Sequence, residues 1–346
     1  MHLSAKFYPN KKIKAEPFPV LTWKEAMDLY GIDKPELRVD NFTFHEVTDW
    51  AKKSDFTVFQ QAPCVKALVL PKEMGRSEVE KKYEFLAKSF GSKGMPWLCL
   101  SKEEGLKGSI AKFINEAALE ELKKLTGATE GTTIIFQADT WLKACEYLGK
   151  LRIEAIKQLD LLKGKEDELA FCFVIDMPLF EEGDDGELGA THHPFTKPTD
   201  KDIEFVKKLG NKIANGEKMT NEEREQLLEV KSDSYDIVLN GYELGGGSIR
   251  IHDRELQSKM FDLLGISKEE SDLKFGFLLE AFKYGVPPHG GIAYGLDRIV
   301  MLLAGEPSIR EVMAFPKNQN AQCMVSDAPN VVDESQLEEL KLDIRE

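Results

Sequence analysis

The stretch Gly290-Gly291-Ile292-Ala293-Tyr294-Gly295-Leu296-Asp297-Arg298, continuing through Ile299-Val300-Met301-Leu302-Leu303-Ala304 to Gly305, leaves this chain few ways to fold. Its first half reads as a strand and its second as a buried helix, with Gly305 suited to the position just past a helix end. At the join stand Gly295, Asp297 and Arg298. Glycine admits close approach of a flat ligand, and the arginine offers a planar, permanently charged fork for phosphate or for stacking on a base. An ordinary strand-to-helix turn with a salt-bridged arginine accounts for these residues equally well.

Upstream, Asp236-Ile237-Val238-Leu239-Asn240-Gly241-Tyr242-Glu243-Leu244 alternates like a strand, then passes through Gly245-Gly246-Gly247 into Ser248-Ile249-Arg250. Asp236 and Glu243 are an odd number of positions apart, so strict extended alternation would set them on opposite faces. A bulge at Asn240-Gly241 would return both to one side, where hard carboxylate oxygens suit Mg²⁺. Otherwise one carboxylate is exposed and the other salt-bridged. The glycines leave room for a ligand against the sheet, and Arg250 is suited to a bidentate carboxylate grip. In Thr191-His192-His193-Pro194, adjacent residues of an extended segment point to opposite faces, which argues against a paired-histidine metal site.

A chain of 346 residues, 42% hydrophobic and 31% charged, is expected to form two or more globular domains. It has no apolar run of membrane-span length and no signal-peptide core behind Met1, so no membrane is expected and a cytoplasmic location is. Its five cysteines are scattered without CxxC spacing, which indicates buried thiols and neither zinc nor disulfides. The net charge of −14 argues against a general nucleic-acid platform, though a local basic face stays open. There is no GxxxxGK[ST] phosphate loop and no parallel βαβ rhythm.

Taken in order, residues 1–40 read as a connector entering a helix. Thr22-Trp23-Lys24-Glu25 has capping-box spacing, Gly31 supplies the stop, and Asp33-Lys34-Pro35 is a polar exit. Residues 41–165 read as an α+β module with strands at Phe56–Phe59, Val65–Leu70, Trp97–Leu100 and Thr132–Gln137. Its helices are expected over Val79–Phe90, Asn115–Leu125 and Trp141–Leu159. His45, its only histidine, reads as structural. From 166 onward an apolar strand is expected across Glu168–Glu181, then an acidic turn at 182–186. Residues 197–233 form a helical hairpin whose first helix stops at Gly210, and no role is apparent for it. Helices are also expected over Glu255–Leu264 and after Ser267, the latter burying Leu273, Phe277, Ala281 and Tyr284 in the core. The tail from Asp327 carries seven acidic and two basic residues and is expected to fray.

Four phrases then occur in one family's order: Thr191-His192-His193-Pro194-Phe195-Thr196, Asn240-Gly241-Tyr242-Glu243, Pro287-Pro288-His289-Gly290-Gly291 and Gly295-Leu296-Asp297-Arg298. Together they resemble the C-terminal active-site half of class II aminoacyl-tRNA synthetases, in the wording of the bacterial-type aspartyl enzymes. The resemblance implies an α+β fold in which an antiparallel catalytic sheet flanked by helices is interrupted by an α+β insertion domain. It divides the chain into a connector (1–40), the insertion (41–165) and the C-terminal part of the catalytic domain (166–346). A module related to 41–165 occurs in a tRNA-binding subunit of the tRNA-dependent amidotransferases, which makes Lys93, Lys102 and Lys107 candidate tRNA contacts.

The resemblance implies ATP-dependent activation of L-aspartate to an adenylate and its transfer to tRNA. His192 and Arg250 would hold L-aspartate, with His193 a weaker candidate. Glu243 and Gly295, Leu296, Asp297 and Arg298 would bind ATP, with Arg298 stacked on adenine. Asp236 and Glu243 would hold Mg, and Arg250 and Arg298 are the expected catalytic arginines. The implied tRNA partners are tRNA(Asp) and, left open, tRNA(Asn), and the complete enzyme is expected to be a homodimer. No anticodon-binding barrel and no motif 1 or 2 is found ahead of Thr22, so the chain is expected to be a fragment, or one half of a split enzyme, and incomplete alone. Two other readings are a non-catalytic paralogue serving as a tRNA- or protein-binding adaptor and ATP-dependent asparagine synthesis from aspartate.

Overall fold

A computed structural model describes residues 2–183 and 186–344. Asp184 and Asp185 of the expected acidic turn lie outside them. The chain divides into two compact units, one running Pro9–Tyr294 and the other made of His2–Tyr8 together with the residues from Gly295 onward.

Helix α1 (His2–Phe7) belongs to the smaller unit. The larger begins with β1 (Lys12–Ile13), β2 (Val20–Thr22) and α2 (Trp23–Tyr30). Both expected signals bound α2. The Glu25 amide donates to Thr22 Oγ1, the Thr22 amide donates to the Glu25 carboxylate at 2.8 Å, and Gly31 closes the helix in the left-handed region at φ 69°.

Next come β3 (Phe44–Glu46), α3 (Thr48–Lys52), α4 (Thr57–Gln61), β4 (Cys64–Leu70) and α5 (Arg76–Glu78). A π-helical turn over Val79–Glu84 leads into α6 (Phe85–Ser89), so the helix expected over 79–90 is wider-wound in its first half. Then follow β5 (Trp97–Ser101), β6 (Gly105–Gly108), α7 (Glu116–Thr126), β7 (Thr132–Asp139) and α8 (Trp141–Gln158). The five strands β3-β4-β7-β5-β6 form an antiparallel sheet with a core on each face. Leu68, Leu70, Ile135 and the α8 residues Leu148 and Leu151 fill one core; Val65, Ala67, Ile134, Phe136 and Trp50 fill the other. Alternation along β4 and β7 sends successive residues to opposite cores.

The strand expected at Phe56–Phe59 is instead the start of helix α4. Helical spacing brings Phe56 onto Phe59, ring centroids 5.1 Å apart, and places Phe59 against Trp50 and Phe136. A strand would have split the two rings between faces.

After the short β8 (Glu168–Leu169), parallel to β1, comes β9 (Phe171–Ile175). The continuous strand expected across 168–181 is interrupted at Asp176, whose φ is 56°. A small hairpin, β10 (Phe180–Glu182) and β11 (Leu188–Ala190), leads to α9 (Ile203–Ala214) and α10 (Asn221–Leu228). Gly210 does not stop α9. A Cβ there would lie 2.5 Å from Cβ of Lys259 in the helix packed across it, so the glycine permits a close helix crossing. That partner is α11 (Arg254–Leu263), which follows β12 (Ser234–Leu239) and β13 (Tyr242–Ile249); α12 (Lys268–Ala281) and β14 (Gly290–Tyr294) complete the unit.

The second sheet has the order β14-β13-β12-β9-β2, antiparallel except where β2 runs parallel to β9. The α12 stripe expected in the core is in solvent: Leu273, Phe277 and Tyr284 are 86%, 81% and 85% exposed. The inward side of this helix is instead built from Ser271 and Phe275, whose ring stacks on Phe261.

In the smaller unit, α13 (Leu296–Ala304) ends as expected at Gly305, φ 76°, but only Met301 and Leu303 are buried in it. Helix α14 (Glu334–Leu340) is short and exposed. Among the described residues no helix is long and apolar enough to cross a membrane, and all five cysteines are free and buried. The fold is α+β, built on mainly antiparallel sheets.

Candidate active site

The hairpin β12–β13 is joined by Asn240 and Gly241, both at positive φ (51° and 83°), as a two-residue type I′ turn requires. Asn240 also docks the turn onto the neighbouring segment, its Oδ1 accepting from the Ala170 amide at 2.8 Å and its Nδ2 donating to the Glu168 carbonyl at 2.9 Å. The bulge expected at these two residues lies further on. Ile237 faces Gly245 while Val238 faces Glu243, which leaves Leu244 as the extra residue in β13. This one-residue insertion reverses the alternation and brings Glu243 to the face that carries Asp236 and Val238.

The two carboxylates converge over Gly246. A Cβ at that glycine would stand 2.3 Å from Asp236 Oδ1 and 3.4 Å from Glu243 Oε1. Gly245 and Gly247 serve a different end: a Cβ on either would strike the β14 backbone, at Ala293 O and Gly291 O respectively. The glycine triple thus makes room for a strand and for an acidic pair.

Burial, reinforced by Glu243, pushes the Asp236 carboxyl up to about 6, against the opposing pull of Lys34. The Lys34 ammonium lies 3.9 Å from Asp236 Oδ2, 3.7 Å from Glu243 Oε2 and 2.5 Å from Asp33 Oδ2. Burial works against its charge, but Asp33, Asp236 and Glu243 outweigh burial and raise its pKa, so it stays protonated. In the sequence Lys34 stands only as part of a polar exit turn. Its one local signal is the following Pro35, which favours extended backbone rather than more helix.

These groups line a cleft of about 1210 Å³ between the β12–β13 face and helix α8, whose Glu146, Gly149, Lys150 and Glu154 form part of the wall. His192 also lines it; burial, then Lys34, lower its pKa, so it is neutral at pH 7. His193 lies in a second cleft of about 330 Å³ with Arg250 and His289. Adjacent residues thus serve different clefts. Arg250 Nη1 donates to the His193 ring, and burial and the guanidinium together lower the His193 pKa. The Arg250 backbone is fixed by a bridge to Thr196 and by donation to the His289 carbonyl at 2.9 Å.

Gly295, Leu296, Asp297 and Arg298 follow β14 directly in sequence but open the smaller unit. There Gly295 caps α13 with extended backbone, and Asp297 lies in the first turn, where a carboxylate complements the helix dipole.

An acidic pair with no third protein ligand matches what Mg²⁺ takes from proteins, namely one or two carboxylates with water and substrate phosphates filling the other positions. The convergence of Asp236 and Glu243 in a site dry enough to raise one of them therefore fits such a cation. Among the described residues no cluster of three or more His, Cys, Asp or Glu is gathered for a metal.

The family model for tRNA synthetases class II (D, K and N) matches residues 2–319. An aspartate–tRNA(Asp/Asn) ligase from Natranaerobius thermophilus is 45% identical over 334 residues, which cover 94% of this chain and 53% of the relative. An aspartate–tRNA ligase from Clostridium botulinum is 44% identical over 335 residues, with coverage of 95% and 52%. The chain thus spans about half the length of these relatives. The solved aspartyl-tRNA synthetase from Entamoeba histolytica aligns with 74% of this chain and 44% of its own at 18% identity, with a TM-score of 0.31.

Proposed function

Since the chain belongs to the class II tRNA synthetases of the D, K and N group, we propose that it carries the amino-acid and magnesium side of an aspartate–tRNA ligase active site. The observation supporting this most directly is the bulge in β13 that gathers Asp236 and Glu243 over Gly246 in the cleft lined by His192.

In the proposed reaction the carboxylate of L-aspartate attacks the α-phosphorus of ATP and pyrophosphate leaves. A ribose hydroxyl at the end of tRNA(Asp) then attacks the aspartyl carbonyl of the adenylate, the acyl–phosphate bond breaks, AMP leaves and the hydroxyl proton is released. No protein nucleophile is required, so the work is positioning and charge neutralisation. Arg250 grips the side-chain carboxylate bidentately; an amide would present NH₂ to a partner that only donates. His193, neutral and accepting from Arg250, orients that fork, and neutral His192 is a polar contact for the amino acid. Asp236 and Glu243 would hold a magnesium ion, which when bound neutralises phosphate charge. Gly295, Leu296, Asp297 and Arg298 are proposed to bind ATP. Residues 41–165 are proposed as an inserted domain, tRNA(Asn) as a second acceptor, a homodimer as the assembled form and the cytoplasm as its location.

Aspartate-dependent exchange of pyrophosphate into ATP tests this, using the chain alone and the chain mixed with the N-terminal half of a relative. Exchange that is lost in Arg250→Ala supports the reading. Absence of exchange in both, with tRNA binding retained, would replace it with a tRNA-binding adaptor.

A further inference from the structure

We propose that Lys34 is a resident counter-cation of the Asp236–Glu243 pair: in the ligand-free protein its ammonium stands in for the divalent cation, and metal enters by displacing it. This rests on the reading of that pair as the metal site.

Two carboxylates on one face of a sheet, one of them 8% exposed, repel each other and need a nearby positive charge. Lys34, with its anchor Asp33, is a charged group that faces both of them, and neutral His192 lines the same cleft. At 3.7 and 3.9 Å the ammonium lies within ion-pair range of both carboxylates, while its short bond is to Asp33. It can therefore neutralise the pair without being locked to it, and Asp33 is where it retreats when a metal arrives. A monovalent cation on a flexible stem and a dication cannot occupy the same few ångströms without repulsion, so Lys34 weakens metal binding by occupying the site.

The position of Lys34 is imposed from α8. A Cβ on Gly31 would stand 2.1 Å from the Cys145 carbonyl, and one on Gly149 would stand 2.4 Å from the Gly31 carbonyl, so the end of α2 is flush against α8. Arg152, wholly buried, donates Nη2 to the Glu36 carbonyl at 2.9 Å and Nε to the Phe42 carbonyl at 2.6 Å, and its guanidinium lies over the Tyr30 ring. Both sides of Lys34 are thereby held by one helix.

The test is titration of Mn²⁺ into the nucleotide-free chain, followed by the loss of free-ion electron paramagnetic resonance signal. Lys34→Met is expected to bind Mn²⁺ at least about tenfold more tightly than the parent, Lys34→Arg to bind like the parent, and Asp236→Asn to lose the site. Lys34→Gln repeats the measurement if the methionine variant melts early. Equal or weaker binding by the neutral variants, with binding still lost in Asp236→Asn, overturns the role of Lys34 and leaves the metal site standing. Absence of any Asp236-dependent binding, in parent and variants alike, overturns both.

Discussion

The two five-stranded sheets of this chain solve the burial problem differently. The β3-β4-β7-β5-β6 sheet is covered on both faces by side chains from residues 42–162, and its central strands β4 and β7 are buried almost throughout. In the β14-β13-β12-β9-β2 sheet, α2 covers Cys172, Val174 and Val238 near the centre. Its edge strand β14 is exposed at four of five positions, and the outer stripe of α12 is in solvent. An apolar pattern tells which residues favour burial. Whether anything buries them depends on what else the chain brings within reach.

Four experiments press on that contrast. Phe136→Ala removes a fully buried ring packed on Trp50 and Phe59, and should destabilise the protein by roughly 3–5 kcal/mol in urea unfolding. A loss below about 1 kcal/mol would mean that the first sheet is no tighter than the second. In the second sheet, Gly246→Ala places a methyl group 2.3 Å from Asp236 Oδ1 and should cost roughly 1–3 kcal/mol while abolishing Mn²⁺ binding. Retained metal binding would separate the acidic pair from the metal.

The third experiment is Asp236→Asn across pH. The folded-state pKa of Asp236 is raised from 3.8 to about 6, so the folded protein holds its proton more tightly and stability falls as pH rises through that window. The asparagine variant should gain roughly 1–3 kcal/mol over the parent at pH 8 and nothing at pH 3, read as melting temperatures. An advantage independent of pH would assign the effect to packing. Smallest of all, Phe277→Ser should change stability by no more than about 0.5 kcal/mol, because the ring is already 81% exposed. A larger loss in unfolding assays would show that something covers the α12 stripe in solution.

Much of this was legible because the signals were local. The capping box at Thr22, the left-handed stops at Gly31 and Gly305, and the two strands of the Asp236–Arg250 hairpin stand where their residues indicate. What failed depended on distant neighbours. Phe56 to Phe59 has strand composition, but the pocket made by Trp50, Phe113 and Phe136 rewards helical spacing. Gly210 resembles a stop, and it takes the crossing of α11 to make it an interior contact. Leu273, Phe277 and Tyr284 have the periodicity of a buried face without the burial.

The candidate site divides in the same way. Residue type together with the family resemblance was enough to nominate Asp236, Glu243, His192 and Arg250, because carboxylate, imidazole and guanidinium chemistry is carried by the side chain itself. Which of them share a cleft was settled by a single extra residue in β13, a consequence of strand pairing, and by the opposite directions taken at 192 and 193. Lys34 was invisible beforehand, because its partners Asp236 and Glu243 are some two hundred positions away in sequence and meet it only once α2, α8 and the hairpin have packed. Local sequence determines the chemistry available and the periods of the elements. Tertiary structure decides which charges face each other, because that depends on register and close packing between segments far apart in the chain.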